Sequence, residues 1–503
     1  MGALGKATTD VISHLRGDSL KARSSRGMAA LGVGTVIERA LKFASYIILA
    51  RLMLPEELYL IALIIATSAL FEAISEVGIK QSVIQNKRGR EPEYLNVAWW
   101  FQVVRGVALY VIAFFAVLWV YDFYFHNKEE ILSLYDKREL LFMLRVSFLA
   151  ALLNSMVSPR AHVLEKDFRY GKAVFLEQVS KLLGTSVTIA LAFILRNAWA
   201  LVIGYIAEAA IRCLLSYILC PFLPRIRIHR NSCQDLFKFA RGMFGLAILG
   251  YLTYRTDVLV LGKLMPAAGV GIYSWCVTLS MMPRDLITRV ARPVLLSAFA
   301  ERQDDRQFLQ AGVLVISKSV AALGIPVTVF LATCSDSILS ILYGSRFSTM
   351  AVPFALLTIS ALILLQYFPF VAMFLALGKP YLYRRFVMVR AILIVGLIYP
   401  GIQCFGFIGA ALVVLVSNVI PWVLQLYYLR SLVGLSLRSY LVCWVPGIKS
   451  ALLLLLAITS LRYLGPQQDI FVFIAGGLVC LFVCIVGLFW ITFRSGKTSQ
   501  VCS

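Results

Sequence analysis

Stretches of roughly twenty mostly apolar residues, the length that crosses a bilayer as a helix, recur along nearly the whole chain. They fall near 27–52, 58–84, 95–121, 139–159, 173–195 and 198–222, then near 240–262, 270–297, 310–334, 352–378, 384–404 and 406–429, with a last pair at 441–464 and 470–493. The pattern predicts an all-α integral membrane protein with about fourteen transmembrane helices, arranged as two pseudo-symmetric six-helix lobes plus two C-terminal helices. Its predicted divisions are a cytoplasmic tail (1–25), an N-lobe (26–222), a cytoplasmic linker (223–239), a C-lobe (240–429), an added pair of spans (441–493) and a cytoplasmic tail (494–503). A hydrophobic content of 60% points the same way, because soluble domains hold only ~45–50% apolar residues.

Charge supplies the orientation. Short cytoplasmic loops retain Lys and Arg, and the N-terminal tail carries Lys6, Arg16, Lys21, Arg23 and Arg26. With that tail in the cytoplasm, 26 basic residues fall on the cytoplasmic side and eight on the other, and both termini share one side. The net charge of +22 is therefore spread over loops that face anionic headgroups. A nucleic-acid binder would gather it on one soluble module, so no nucleic-acid partner is expected. The first 25 residues lack the apolar run of a cleaved signal peptide.

The remaining fourteen of the 48 Lys and Arg lie inside predicted spans, against seven acids. A cation at bilayer depth costs about 3 kcal/mol or more and persists only beside a partner, a wet cavity or an anion. The acids are Glu38, Glu72, Glu76, Glu177, Glu208, Asp257 and Asp285. Several have a base four residues on, the spacing of an intrahelical pair: Glu38 with Lys42, Glu76 with Lys80, Glu177 with Lys181, Glu208 with Arg212 and Asp285 with Arg289. The surplus is positive, so the polar pathway it marks favours anions.

Repetition organises the chain. Arg26-Gly27-Met28 opens the first span and Arg51-Leu52-Met53-Leu54-Pro55 closes it, while Arg241-Gly242-Met243 opens the seventh and Lys263-Leu264-Met265-Pro266 closes that one. Six spans separate the copies, which makes them parallel repeats about an axis along the membrane normal, able to rock around a central cleft. No engine for nucleotide hydrolysis accompanies them: Gly496-Lys497-Thr498 lacks the first glycine of a phosphate loop, with Ile491 in its place. The ten cysteines form no C-x-x-C pair and the four histidines stand apart, so neither a metal nor a cofactor is expected. No Ser/His/Asp or Cys/His arrangement marks an enzyme.

The run Leu49-Ala50-Arg51-Leu52-Met53-Leu54-Pro55-Glu56-Glu57-Leu58, then Glu76-Val77-Gly78-Ile79 and Ser82-Val83-Ile84-Gln85, resembles the start of the bacterial polysaccharide transporters, the Wzx-type oligosaccharide flippases of the multidrug/oligosaccharidyl-lipid/polysaccharide exporter superfamily. Gly271-Ile272-Tyr273-Ser274, Leu342-Tyr343-Gly344 and Ala376-Leu377-Gly378-Lys379-Pro380 look like further landmarks of that family. The likeness runs from about Arg26 to about Arg430 and departs at Tyr59, where the family has glycine, and at Glu76, where it has Asp. It implies a flippase that moves oligosaccharide repeat units on undecaprenyl diphosphate across the bacterial cytoplasmic membrane by alternating access, for O-antigen, capsule or exopolysaccharide synthesis. It also implies a multi-pass inner-membrane protein whose partners are the lipid-linked oligosaccharide, membrane lipids and a polymerase or chain-length complex. The chain itself is expected to act as a monomer.

Combined with the charge pattern, the resemblance makes Arg39, Lys42, Arg255, Arg289 and Arg292 the candidates for holding pyrophosphate and glycan. Asp285, Arg289 and Arg292 share one helical stripe, as do Glu38, Lys42 and Ser45, although Arg284, Arg289 and Arg292 also fit cations snorkelling at a helix end. Glu72 and Glu76, one turn apart, are candidates for ion coupling, since adjacent carboxylates can share a proton. Pro283, Pro293, Pro326, Pro369, Pro400 and Pro421 are candidate hinges or fixed kinks. Two other classes stay open. A multidrug or cation antiporter of the same superfamily would favour acidic cavity residues. A membrane glycan polymerase or glycosyltransferase would need outward-loop carboxylates, for which Glu56, Glu57, Glu129 and Glu130 are available but read as solvated.

Overall fold

The computed structural model describes residues 20–76, 78–126, 128–167, 170–225, 229–243, 245–301, 303–464, 471 and 473–485. The described residues are overwhelmingly helical. The chain divides into two compact units: the first runs to Tyr251 and takes in Pro266–Ala268, and the second holds Leu252–Met265 and everything from Gly269.

The first unit is built on α1 (Leu20–Leu52), α2 (Pro55–Ser75), α3 (Ile79–Gln85) and α4 (Pro92–Tyr124), followed by the short α5 (Glu129–Leu132), α6 (Lys137–Ser147), α7 (Leu149–Ser155) and α8 (Arg160–Lys166), then α9 (Tyr170–Leu195), α10 (Trp199–Leu219) and the amphipathic α11 (Arg230–Met243). Helix α9 packs against both α1 and α10, and α7 packs against α4 and α10. Next come α12 (Leu246–Leu264), α13 (Ala267–Glu301), α14 (Arg306–Thr333), α15 (Ser335–Tyr343), α16 (Ala351–Ala376), α17 (Pro380–Val433), α18 (Leu437–Val442) and α19 (Val445–Leu464). In the second unit α14 packs against α16 and α19, and α16 against α17. Phe299, Phe370, Phe374, Leu429 and Tyr440 share one buried cluster there.

Eight described helices are long and apolar enough to cross a membrane, nine if α6–α7 with α8, bent by 55°, is one span. That is fewer than the fourteen expected, for physical reasons that differ by segment. Helices α1, α12 and α13 have the length of a span, 33, 19 and 35 residues, but they carry the internal charges and so lower their own hydropathy. Helix α17 counts once although it is 54 residues long, and its backbone turns sharply at Gly406 (φ 54°, ψ −131°). The sequence places a boundary there, between 404 and 406, whereas Pro400 and Pro421 lie within helix on either side. Of the expected span at 470–493, only Phe473–Ile485 is described as an apolar helix.

Two expected spans are broken. The stretch 58–84 stops at Ser75, where Glu76 leaves the helical region (φ −66°, ψ 116°), and resumes as α3 after Gly78 (φ 70°). That left-handed backbone explains the glycine of the Glu76-Val77-Gly78 landmark, and Gly378 (φ 66°) explains the one before Lys379-Pro380. The stretch 139–159 is likewise split into α6 and α7 at Phe148.

The repeated Arg/Lys-Leu-Met endings fold alike. Helix α1 ends at Leu52 and α2 begins at Pro55, while α12 ends at Leu264 and α13 begins at Ala267. Each new helix start needs an acceptor for its unbonded N–H groups. At α2 the Glu57 carboxylate reaches back to the Leu54 N–H at 2.9 Å; at Ala267 the acceptor is Glu130 Oε2, at 3.0 Å. Glu57 is buried, 4% exposed, and its other oxygen accepts from the Tyr135 hydroxyl at 2.8 Å. Two of the four outward acids read as solvated are therefore structural. Burial, together with Glu57, pushes the Tyr135 hydroxyl above its ordinary range, so it remains a donor to the carboxylate. Tyr59, where the family has glycine, is fully buried and meets the Phe125 ring edge-on with centroids 6.0 Å apart.

Alanine at Gly78 or Gly378 forces a Cβ into left-handed backbone, a cost of about 1–2 kcal/mol; thermal unfolding of the purified protein should show a lower midpoint for each, and an unchanged midpoint would refute the assignment. Tyr135→Phe leaves a buried carboxylate oxygen unbonded and should cost about 1.5–3 kcal/mol, whereas Glu56→Gln, made as a control in the same melts, should shift the midpoint little.

Candidate functional site

The charges that the sequence places within spans separate into two groups, one in each unit. In the first, α1 and α9 lie side by side and Glu38, 3% exposed, projects from α1 toward α9. Its carboxylate lies 3.7 Å from Lys181 Nζ, which also holds Glu177 at 2.6 Å. The expected intrahelical pair Glu177–Lys181 is thus formed, and Glu38 joins it across the helix interface. Lys42 is within electrostatic reach of Tyr46, Glu208 and Glu38, with Arg39 opposing them. The expected Glu38, Lys42, Ser45 stripe ends early, because the Ser45 hydroxyl donates to the Lys42 carbonyl at 2.7 Å, along its own helix.

Glu72 and Glu76 do not stack as a continuous helical pair. Helix α2 ends between them, and Glu76 bends away to accept from the Gly78 N–H at 2.8 Å and from Arg105 Nη1 at 3.0 Å. The same guanidinium nitrogen reaches the Ser75 carbonyl at 3.4 Å, at the open end of α2. Lys80, expected to pair with Glu76, instead meets Glu165 of α8 at 2.7 Å. The i,i+4 rule fails here because it presumes unbroken helix, and the break at Gly78 removes that geometry.

In the second unit α12 carries Arg255 beside the buried Asp257, which is 6% exposed. Asp257 accepts from the Val258 N–H at 2.8 Å and from the Tyr273 hydroxyl at 3.3 Å, so it is held by its own helix turn and by α13. On α13, Arg284 pairs with Asp285 at 3.2 Å and Arg289 is exposed. Arg292 lies on the same helix, but its side chain is outside the described residues. The structure therefore holds Arg39 and Lys42 in one unit and Arg255 and Arg289 in the other.

Sequence reasoning passed over Arg390. It is only 6% exposed, its Cζ lies 4.6 Å from the Tyr254 ring centre, and Nη2 donates to the Thr253 carbonyl at 3.1 Å. The available signal was negative: Arg390 is a cation inside a predicted span with no acid one turn away. Among the described residues no group of three or more His, Cys, Asp or Glu is placed to hold a metal.

Lipopolysaccharide biosynthesis protein WzxC of Escherichia coli (strain K12) is 24% identical over 436 residues, covering 85% of this chain and 85% of WzxC. Succinoglycan biosynthesis transport protein ExoT of Rhizobium meliloti (strain 1021) is 21% identical over 361 residues, covering 72% of this chain and 71% of ExoT. Among solved structures, the lipid II flippase MurJ in an inward closed conformation matches with a TM-score of 0.74 at 14% identity, over 92% of this chain and 99% of MurJ. An inward-facing multidrug resistance MATE family transporter of the MOP superfamily matches with a TM-score of 0.56 at 14% identity, over 80% of this chain and 98% of the transporter. The fold is the one these membrane proteins share. The sequence profile described as polysaccharide biosynthesis protein matches residues 48–352, and the chain belongs to that family.

Proposed function

We propose that this multi-pass membrane protein is a flippase that carries undecaprenyl-diphosphate-linked oligosaccharide repeat units across the bacterial cytoplasmic membrane by alternating access, for surface polysaccharide synthesis. The observation that carries this reading is the character of α1, α12 and α13. They are helices of spanning length, in a family of polysaccharide biosynthesis proteins, whose interior charges are dominated by arginine and lysine. A glycan and a diphosphate cannot enter hydrocarbon, whereas the polyprenyl tail need not leave it, so a carrier for such a lipid needs cationic, hydrated helices inside an apolar shell. ExoT is named a transport protein and MurJ a lipid II flippase, which favours transport over catalysis for this chain as well.

In this scheme Arg39, Lys42, Arg255, Arg289 and Arg292 hold the pyrophosphate and inner sugars. Glu72 and Glu76 couple transport to an ion, with Arg105 sharing the Glu76 charge. The working division is an N-lobe at 26–222, a linker at 223–239, a C-lobe at 240–429 and an added pair of spans at 441–493. Both termini lie in the cytoplasm, the protein acts as a monomer, and a polymerase or chain-length complex receives the product. The positive surplus disfavours a cation antiporter. The glycan polymerase reading is disfavoured because Glu57 and Glu130, two of the outward acids it needs, are engaged at helix starts.

A deletion strain should accumulate lipid-linked repeat units accessible only from the cytoplasmic leaflet, measured by extraction and leaflet-selective labelling. Single repeat units delivered outside but left unextended would instead mean a polymerase. Arg289→Glu should lower glycan export at least tenfold at equal membrane abundance, the loss expected when one charge-assisted contact worth about 1.5–3 kcal/mol is inverted; export at the wild-type rate would remove Arg289 from the site.

A further inference from the structure

A cavity of about 440 Å³ opens in the first unit where α4 begins, α8 begins and the chain leaves α10. Its volume falls within the roughly 300–1,000 Å³ of small-ligand pockets. Glu93, Arg160, Leu223, Arg225 and His229 are in its lining, and all five lie outside the predicted spans.

The segment leaving α10 is not helical, yet its backbone is firmly held. Asn96, 6% exposed, donates to the Arg225 carbonyl at 2.6 Å and accepts from the Arg225 N–H at 2.7 Å. Trp100 Nε1 donates to the same carbonyl at 2.9 Å, and Arg160 Nη1 donates to the Pro221 carbonyl at 2.7 Å. Side chains from α4 and α8 thus fix the backbone of Arg225, while its own side chain stays exposed at the cavity. Ordering loop backbone is costly, and a cation that needs only water does not require it.

Charge and apolar surface meet at this point. Leu223 is 88% exposed and lies just past the end of α10, a helix long and apolar enough to cross a membrane. A leucine so placed meets acyl chains, and arginines beside it meet headgroups. A soluble anion gains nothing from the leucine, whereas an amphiphile does. His229 Nδ1 lies 3.4 Å from Glu93, so with that histidine neutral two arginines stand against one carboxylate and leave one positive charge. That matches the single charge of a phosphodiester, to which a guanidinium fork is well fitted, and falls short of a diphosphate's. The second unit has a crevice at the corresponding junctions of the predicted repeat, lined among others by Asp304, Arg306 and Lys379. Its leucines are buried or half-buried, so it carries charge without the apolar lip.

We propose that Arg160 and Arg225, with Leu223 at the lip, form a binding site for an anionic phospholipid of the surrounding bilayer. The two guanidinium groups hold the phosphodiester and the leucine meets an acyl chain. An occupant joins α4, α8 and the segment leading into α11, so the amount of anionic lipid sets how tightly that linker is tied to the first unit. The site requires a membrane protein and does not rest on the flippase reading.

The test titrates the full-length protein in neutral detergent, counting bound ligand by native mass spectrometry. The probes, each used alone, are phosphatidylglycerol, phosphatidylcholine, the deacylated headgroup glycerophosphoglycerol, and undecaprenyl diphosphate. Wild type should bind phosphatidylglycerol about tenfold more tightly than the other three. Arg225→Gln should weaken that binding about tenfold, the scale of a lost hydrogen bond to a charged group. Leu223→Ser should weaken it about threefold and leave glycerophosphoglycerol unaffected. Lys379→Gln, the same loss of charge in the second unit's crevice, should stay within about twofold of wild type. Thermal unfolding checks the fold of each variant, and if Arg225→Gln melts early, Leu223→Ser carries the test. Binding by Arg225→Gln within about twofold of wild type overturns the site, as does an equal loss in Lys379→Gln, the mark of bulk charge attraction. Glycerophosphoglycerol bound as tightly as phosphatidylglycerol overturns the lipid as occupant. Arg225-dependent binding of undecaprenyl diphosphate tighter than that of phosphatidylglycerol overturns the phospholipid.

Discussion

Removing an ion-sized charge from water costs several kcal/mol even after the surroundings relax, and this protein does so repeatedly between its helices. The consequences are visible in its packing. Glu38 is buried against Lys181, which already holds Glu177; Asp257 is buried against a backbone N–H and a tyrosine hydroxyl; Arg390 is buried against a carbonyl and an aromatic face. Each charge fixes a contact between particular helices, so the polar pathway and the helix packing are one arrangement. The first two are answered largely from within the protein. The third is answered in part, by dipoles and a ring rather than by an opposite charge.

The sequence made the bundle legible because hydrophobic length is a strong signal, and the helix boundary near Gly406 and the paired Leu-Met endings were readable from the order of residues alone. It was misleading where a span is not one straight helix. The 58–84 stretch is apolar enough to read as continuous, yet Gly78 adopts a left-handed backbone that only a landmark glycine hints at. Once that break is present, the i,i+4 arithmetic for Glu76 and Lys80 pairs the wrong partners, and both residues find others from α4 and α8. Where the helix is regular, at Glu177 and Lys181, the same arithmetic holds.

For the candidate site, the sequence shows which helices carry charge more readily than which side chains meet. Patterns on one helix reveal stripes such as Asp285 and Arg289, but contacts across helices have no fixed spacing. Arg390 lies 136 residues from Tyr254 in the chain, so nothing local announces their meeting. The outward acids illustrate the converse error. Glu57 and Glu130 look like loop carboxylates available for chemistry, yet the unbonded N–H groups at helix starts claim them first.

Arg105 shows how such an arrangement constrains change over time. Its guanidinium answers the Glu76 carboxylate and also reaches the last carbonyl of α2, so one side chain conceals two liabilities created by one interruption of the helix. Losing the arginine first uncovers both, and neutralising Glu76 first leaves the guanidinium with a carbonyl alone, so either single change leaves a charge without its counterpart. The two positions are therefore expected to change as a pair rather than one at a time.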